Sequence, residues 1–213
     1  MKLFIDSADA KKISELVKLN IFHGITTTPT FFWRLGISNW RDEIRRILDI
    51  YELEVHIEAL GESVDEIVLE ALKNAALGKT VVSKIPMSCA GLEAAVKLHR
   101  QGVRINMHLI FSLNQAVLAA LAGCEYICPL IGRLNDAGND GHRLIKEIVH
   151  FLNQEEEILT KVMASSIRNP DDVRRAVLNG VDAITIPPEI ISSLFTHPLT
   201  DKGYAQFVKD CTV

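Results

Sequence analysis

Gly78-Lys79-Thr80-Val81-Val82-Ser83-Lys84-Ile85-Pro86, followed by a helical stretch over Cys89–Gln101 and a glycine at 102, is the segment from which the fold is read. Thr80–Pro86 is a short run dominated by β-branched residues, the signature of a strand. Cys89–Gln101 repeats its apolar residues at helical spacing, and Gly102 is a helix stop. A second strand-like run, Arg104–Phe111, begins almost at once, so the link is short. Working outward, the unit recurs. Strand-like runs lie at Lys2–Asp6, Gly24–Pro29, Glu54–Leu60, Tyr126–Ile131, Lys161–Ser166 and Ala183–Pro187, which makes eight with the two already named. Helical spacing fills the intervals at Ala8–Leu19, Trp40–Tyr51, Ser63–Leu77, Ser112–Ala122, Asp140–Asn153, Asn169–Asn179 and Pro188–Phe195, with Gly123 and Gly180 closing two of them. Strands apolar on both faces belong to a parallel sheet covered by helices. Eight such units over residues 1–213 predict a single (β/α)8 TIM barrel, with a doubly wound open sheet as the alternative.

Composition agrees with one large folded domain. Of 213 residues 48% are apolar, enough for a sizeable core, and 23 basic against 27 acidic side chains leave a net charge of −4. Lys and Arg are scattered, so no basic footprint for nucleic acid or an anionic membrane is present. Asp6 interrupts the start before an apolar signal segment could form, and no run approaches the ~20 apolar residues of a membrane span. A cytoplasmic protein is expected. Cys89, Cys124, Cys128 and Cys211 lack the spacing of a zinc site and read as small buried thiols.

Several apparent motifs dissolve on inspection. Gly78-Lys79-Thr80 imitates the end of a P-loop, but Lys73 stands where its first glycine belongs and a strand follows instead of a helix. Glu155-Glu156-Glu157 are consecutive and point in different directions, which suits solvent and not a metal. His23, His56, His99, His142, His150 and His197 form no metal-binding pattern and read as surface or half-buried residues.

Active sites of this architecture lie where the strands end, at the carboxyl face. Those ends carry Asp6, then Thr26, Thr27 and Thr28, then Glu58, Lys84, Asn106 and His108, Arg133, and finally Ser166 and Arg168. Lys84 is the most telling, a long cation inside a run that is otherwise core. Burial disfavours an ammonium, and a lysine kept as the neutral amine attacks a ketone or aldehyde to form a Schiff base. The competing reading is a lysine whose stem lies along the barrel while its head pairs with Asp6 or Glu58. Schiff-base chemistry must also expel the carbonyl oxygen as water and remove a hydroxyl proton, and Asp6 and Glu58 are the available acid–base pair. Arg168 with Ser166 suits a phosphate group, while Arg133 suits either a phosphate or an ion pair with Asp136 or Asp140.

Along nearly its whole length the chain resembles the small transaldolase and fructose-6-phosphate aldolase family. The resemblance is carried by Phe4-Ile5-Asp6-Ser7-Ala8, Gly24-Ile25-Thr26-Thr27, Lys84-Ile85-Pro86-Met87 with Gly91-Leu92, Ile110-Phe111-Ser112 with Asn114-Gln115-Ala116, Gly132-Arg133-Leu134 with Gly138 and Asp140-Gly141, Ala164-Ser165-Ser166-Ile167-Arg168, and His197–Gly203. It implies a cofactor-free, metal-free class I mechanism on sugar phosphates, in the manner of the pentose phosphate pathway. Lys84 would attack the ketone carbon, Glu58 would work through a water in imine formation, and Asp6 would take the hydroxyl proton that triggers carbon–carbon cleavage. Thr26, Thr27, Thr28, Asn106, Arg133, Ser166 and Arg168 would hold substrate. The resemblance further implies a homo-oligomer, a pentamer or decamer, with the C-terminal helix of about 200–213 packing on a neighbour.

Three positions depart from the family pattern. Thr28 stands where the family has an Asn that holds a hydroxyl of the bound three-carbon unit. His108 replaces the Thr that holds the catalytic water, and could fill the space of that water, take over proton transfer or simply pack. Leu130 stands where transaldolases resemble one another in having Phe and the aldolases have Tyr. Glu58 sides with the transaldolases, since the aldolases carry Gln there. A transaldolase is therefore expected, with a fructose-6-phosphate aldolase and a non-catalytic sugar-phosphate-binding relative as the alternatives.

Overall fold

In the computed structural model, which describes residues 1–212, eight parallel strands close on themselves in chain order. The elements run β1 (Lys2–Asp6), α1 (Ala10–Val17), β2 (Gly24–Thr26), α2 (Pro29–Arg34), α3 (Trp40–Ile50), β3 (Glu54–Glu58), α4 (Val64–Ala75), β4 (Val81–Pro86), α5 (Cys89–His99) and β5 (Ile105–Ile110). They continue with α6 (Leu113–Leu121), β6 (Tyr126–Pro129), α7 (Ile131–Asp136), α8 (Gly141–Leu152), β7 (Lys161–Ala164), α9 (Pro170–Leu178), β8 (Ala183–Ile186), α10 (Pro188–Leu194) and α11 (Pro198–Cys211). This is a (β/α)8 TIM barrel, and β1 pairing with β8 excludes the open sheet. Val213, which the sequence places at the end of the last helix, lies outside the described residues.

Local chemistry sets the boundaries. Ser63 and Glu66 form a reciprocal capping box at the start of α4, and Ser88, Ser112, Asp140 and Asn169 cap α5, α6, α8 and α9 through their side chains. Gly102, Gly123 and Gly180 have φ of 74°, 81° and 79°, the left-handed stop that their places after α5, α6 and α9 require. The strands end earlier than the sequence suggests. Residues 27–28, 59–60, 166 and 187 leave the sheet to build the rim of the carboxyl face, while Ser165 keeps a single bridge to Leu130. The six-residue helices α2 and α7 are not visible as periodicity, because fewer than two turns cannot display a 3.6-residue repeat.

Strand alternation divides the side chains into two sets. One set packs outward against the helices, in the large cluster that includes Ile5, Ile25, Val55, Ile85, Met107, Ile127 and Ile184. The other fills the barrel, where Phe4, Val82, Tyr126, Cys128, Met163 and Ala183 form a separate cluster. Gly24 makes room for this second set, since a Cβ there would lie 2.4 Å from the Phe4 ring.

Two histidines depart from the surface or half-buried setting suggested by the sequence. His56 is inside the barrel, fully buried, because Asn106 Nδ2 donates to its Nδ1 and its Nε2 donates to Glu54 (both 2.9 Å). His142 is buried against Asp172 at 2.8 Å. Cys124 and Cys128 are buried as expected, but Cys89 and Cys211 are exposed, since one opens and the other closes a surface helix. Glu155–Glu157 lie in an exposed connection before β7. Among the described residues no helix is long and apolar enough to cross a membrane.

Candidate active site

A cavity of about 780 Å³ opens at the carboxyl ends of the strands, and Lys84, Asp6, Glu58 and His108 all line it. Lys84 stands on the inner face of β4 with 5% of its surface exposed. Its Nζ donates to the Thr27 carbonyl at 2.9 Å and lies 2.9 Å from Oε1 of Glu58. Burial works to lower the Lys84 pKa, but the Glu58 carboxylate, with Asp6 behind it, overrides it and holds the group above its ordinary value. At rest Lys84 is therefore an ammonium, not the neutral amine that burial alone predicts. Lys84 is thus an ion-paired side chain that also lines the cavity.

The two carboxylates differ in character. Burial raises the Asp6 pKa, against the opposing effects of Lys84 and of the Thr26 hydroxyl, which donates to Oδ1 at 2.7 Å. Thr26 in turn shares a hydrogen bond with the Thr185 hydroxyl on β8. For Glu58 burial acts upward as well, but Lys84 and His108 outweigh it and hold the group below the usual carboxylate range. Nε2 of His108 lies 2.8 Å from the other Glu58 oxygen, Oε2, with the angle too poor for a full hydrogen bond.

Across the barrel, β6 and β7 supply the cationic wall. Gly132 donates its N–H to the Ser166 carbonyl at 3.1 Å, an approach so close that a Cβ on Gly132 would sit 2.1 Å from that oxygen. Ser166 has φ of 59° and Leu109, across the mouth, 56°. Left-handed backbone at non-glycine residues is sparsely populated and gathers at functional sites. Arg168 pairs with Asp136 at 3.0 Å and Asp140 with Arg175 at 3.5 Å, so among the described residues Arg133 has no ion pair.

Of the residues singled out from sequence, the cavity brings together Asp6, Thr26, Thr28, Glu58, Lys84, His108, Arg133, Ser166 and Arg168. Thr27 and Asn106 are not among its walls. The Thr27 hydroxyl donates to the His56 carbonyl, and Asn106 sits deeper, on His56. Sequence reasoning passed over Thr185, Cys128 and Arg34, which also line the cavity. Thr185 had a signal, a hydroxyl in the otherwise apolar run Ala183–Ile186. Arg34 had none, because it rides on the unforeseen α2.

Comparison with known proteins gives this geometry a context. Residues 3–212 match the family model described as Transaldolase/Fructose-6-phosphate aldolase. The chain belongs to that family. Similar proteins include a "Probable transaldolase" of Syntrophobacter fumaroxidans, 42% identical over 214 residues and covering 99% of this chain and 96% of the relative. Another, of Dehalococcoides mccartyi, is 39% identical over 211 residues, with 99% and 97% covered. Among solved structures, thiamine phosphate pyrophosphorylase from Pyrococcus furiosus superposes with a TM-score of 0.58 at 18% identity over 87% of this chain and 85% of its own, a likeness of fold alone. Membership places the chain in an enzyme class of aldolases and transaldolases. Against the family pattern, Thr28 lines the cavity with its hydroxyl free of hydrogen bonds among the described residues, and Leu130 is a buried wall residue.

Proposed function

We propose that this protein is a transaldolase, moving a dihydroxyacetone unit from a ketose phosphate to an aldehyde phosphate through a Schiff base on Lys84. The observation that carries the reading is a single buried ammonium at a sugar-sized cavity, held by one acid and facing a second of opposite pKa tendency. Once relieved of a proton, Nζ attacks the ketone carbon, and loss of the carbonyl oxygen as water leaves a protonated imine. Asp6, whose raised pKa makes it the better proton acceptor, removes the hydroxyl proton at the fourth carbon. The bond between the third and fourth carbons breaks, its electron pair moves toward the imine nitrogen, and the aldehyde phosphate departs. The enamine left on Lys84 adds to the acceptor aldehyde by the reverse steps, and water then frees the amine. Arg133, Arg168 and Ser166 receive the phosphate, and Thr26 and Thr28 face the three-carbon unit. Thr27 supports the same chemistry through its carbonyl on Nζ, and Asn106 from the layer beneath.

Glu58 favours transfer over simple cleavage, because the aldolase branch has an amide at that place. We further propose a homo-oligomer in the cytoplasm. Helix α11 buries none of its residues and exposes Leu199, Tyr204 and Phe207, an apolar surface suited to a neighbouring copy.

Borohydride reduction with fructose 6-phosphate tests the reading. It should add a three-carbon or sugar mass at Lys84, and product should form only when an acceptor aldehyde phosphate is present. Steady release of free dihydroxyacetone without acceptor would mark an aldolase instead, and an unmodified Lys84 peptide would remove the Schiff base altogether.

A further inference from the structure

We propose that His108 is the proton carrier of imine formation, set with its Nε2 against Glu58 and working on the substrate through its free Nδ1. The inference rests on the Schiff-base reading of Lys84 and deepens it.

The starting point is that neither Glu58 oxygen is open to a sugar, since Oε1 is taken by Lys84 and Oε2 is buried against His108 without a full hydrogen bond. Oε1 lies 2.9 Å from Lys84 Nζ and Oε2 lies 2.8 Å from His108 Nε2, and the residue is 8% exposed. Proton traffic directed by Glu58 must therefore pass through one of those two side chains. His108 is the one that reaches the cavity with an unused atom. Its Nε2 faces Glu58, and among the described residues no side chain hydrogen-bonds to Nδ1. The backbone also places it with care. The register of β5 against β6 shifts between His108 and Ile110, Leu109 takes a φ of 56°, and the His108 carbonyl is fixed by the Met87 N–H at 2.9 Å. This break turns the strand end at the residue whose ring meets Glu58.

The charge state suits a carrier. Burial lowers the His108 pKa, Lys84 and Arg133 lower it further, and Glu58 opposes them; Cys128, its register partner on β6, has its thiol pushed up to about 11 and stays neutral. The resting ring is neutral, a donor at Nε2 and a base at Nδ1, the arrangement in which a buried acid orients an imidazole for catalysis.

The balance closes on the substrate. Converting an ammonium and a ketone into a protonated imine and water moves two protons from Nζ to the carbonyl oxygen, with no net gain or loss. The first passes from Nζ to Nδ1 of His108, freeing the lone pair that forms the C–N bond, and from Nδ1 it reaches the alkoxide. The second leaves the attached nitrogen for Nδ1 of His108, which hands it to the hydroxyl as the C–O bond breaks and the nitrogen lone pair forms C=N. No fixed water is needed between acid and substrate.

Two measurements test this. Nitrogen-15 NMR of the histidine-labelled parent should show His108 neutral as the Nε2–H tautomer at pH 7, and an Nδ1–H tautomer would overturn the proposal without any variant. Borohydride-quenched imine formation with fructose 6-phosphate, followed against pH, should fall by about 100-fold or more in His108→Gln and His108→Asn, and the limb belonging to the imidazole should vanish from the profile. An unchanged rate and profile in either variant would leave His108 a packing residue while Lys84 keeps its role. Absence of any adduct in the parent would instead remove the Lys84 reading, and this one with it.

Discussion

The two ends of the barrel interior are built from the same alternating positions and reach opposite results. At the amino end Glu54 meets Lys2, Arg104 and His56 at 3.4, 2.6 and 2.9 Å, and Arg104 and Lys161 share Glu125 at 2.7 and 3.2 Å. Each acid has at least two positive or donor partners, and the network closes on itself. At the carboxyl end Glu58 is divided between Lys84 and a poorly aligned His108, Asp6 leans on one hydroxyl, and Arg133 has no ion pair among the described residues. A barrel interior tolerates charge in either arrangement. Saturated pairing yields a stable floor, whereas incomplete pairing beside a cavity leaves groups ready to exchange protons.

The largest effect that would sharpen this contrast is in chemistry at the upper end. Lys84→Met with Glu58→Gln should abolish transfer in a coupled assay, yet move the melting temperature by no more than ~4 °C, because replacing both members of a buried pair is close to neutral. The converse change is Arg104→Met. It leaves Glu54 and Glu125 short of a partner and should cost about 2 to 3 kcal/mol, or roughly 5 to 10 °C, while kcat per folded molecule stays within twofold. An Arg104 variant that kept its stability but lost turnover would break the division between floor and site.

Acid should attack the floor as well. Burial acts to raise the Glu54 pKa, but His56 and Arg104 hold it far below the ordinary 4.5. A carboxylate depressed in the folded state adds stability that is present above its unfolded pKa and is lost as pH falls from there toward the folded value. Chemical-denaturation stability should therefore decline below about pH 4.5, and Glu54→Gln should flatten that decline.

Much of this was legible from residue types because the fold repeats. Thr80–Pro86 and its seven counterparts have strand composition, and Gly102, Gly123 and Gly180 mark the stops, so strand number follows from counting, while closure is decided by the pairing of β1 with β8. The site was legible to the extent that a polar residue in an apolar run declares itself, as Lys84, Glu58 and His108 do. What stayed hidden depends on partners from distant strands. The charge on Lys84 is set by Glu58 on another strand, and Asn106, equally polar and equally placed near a strand end, faces His56 because β5 points it one layer lower. The helices α2 and α7 are too short to show a period, so Arg34 and the geometry around Gly132 had no sequence signal.

The smallest effect concerns Arg168, the one cation of the β6–β7 wall already held by a carboxylate. Its pair with Asp136 is exposed on both sides, 52% and 62%, and such pairs contribute about 0 to 1 kcal/mol. If a substrate phosphate must displace Asp136 from Arg168, then Asp136→Asn should lower KM for phosphorylated sugars by about two- to threefold at low ionic strength, with kcat unchanged. Near 1 M salt, where screening reaches ~3 Å, the difference should disappear. Should the variant instead raise KM at both salt concentrations, Asp136 would be holding the guanidinium in place for the phosphate. The upper end of the barrel would then share, at this one position, the saturated pairing of the floor.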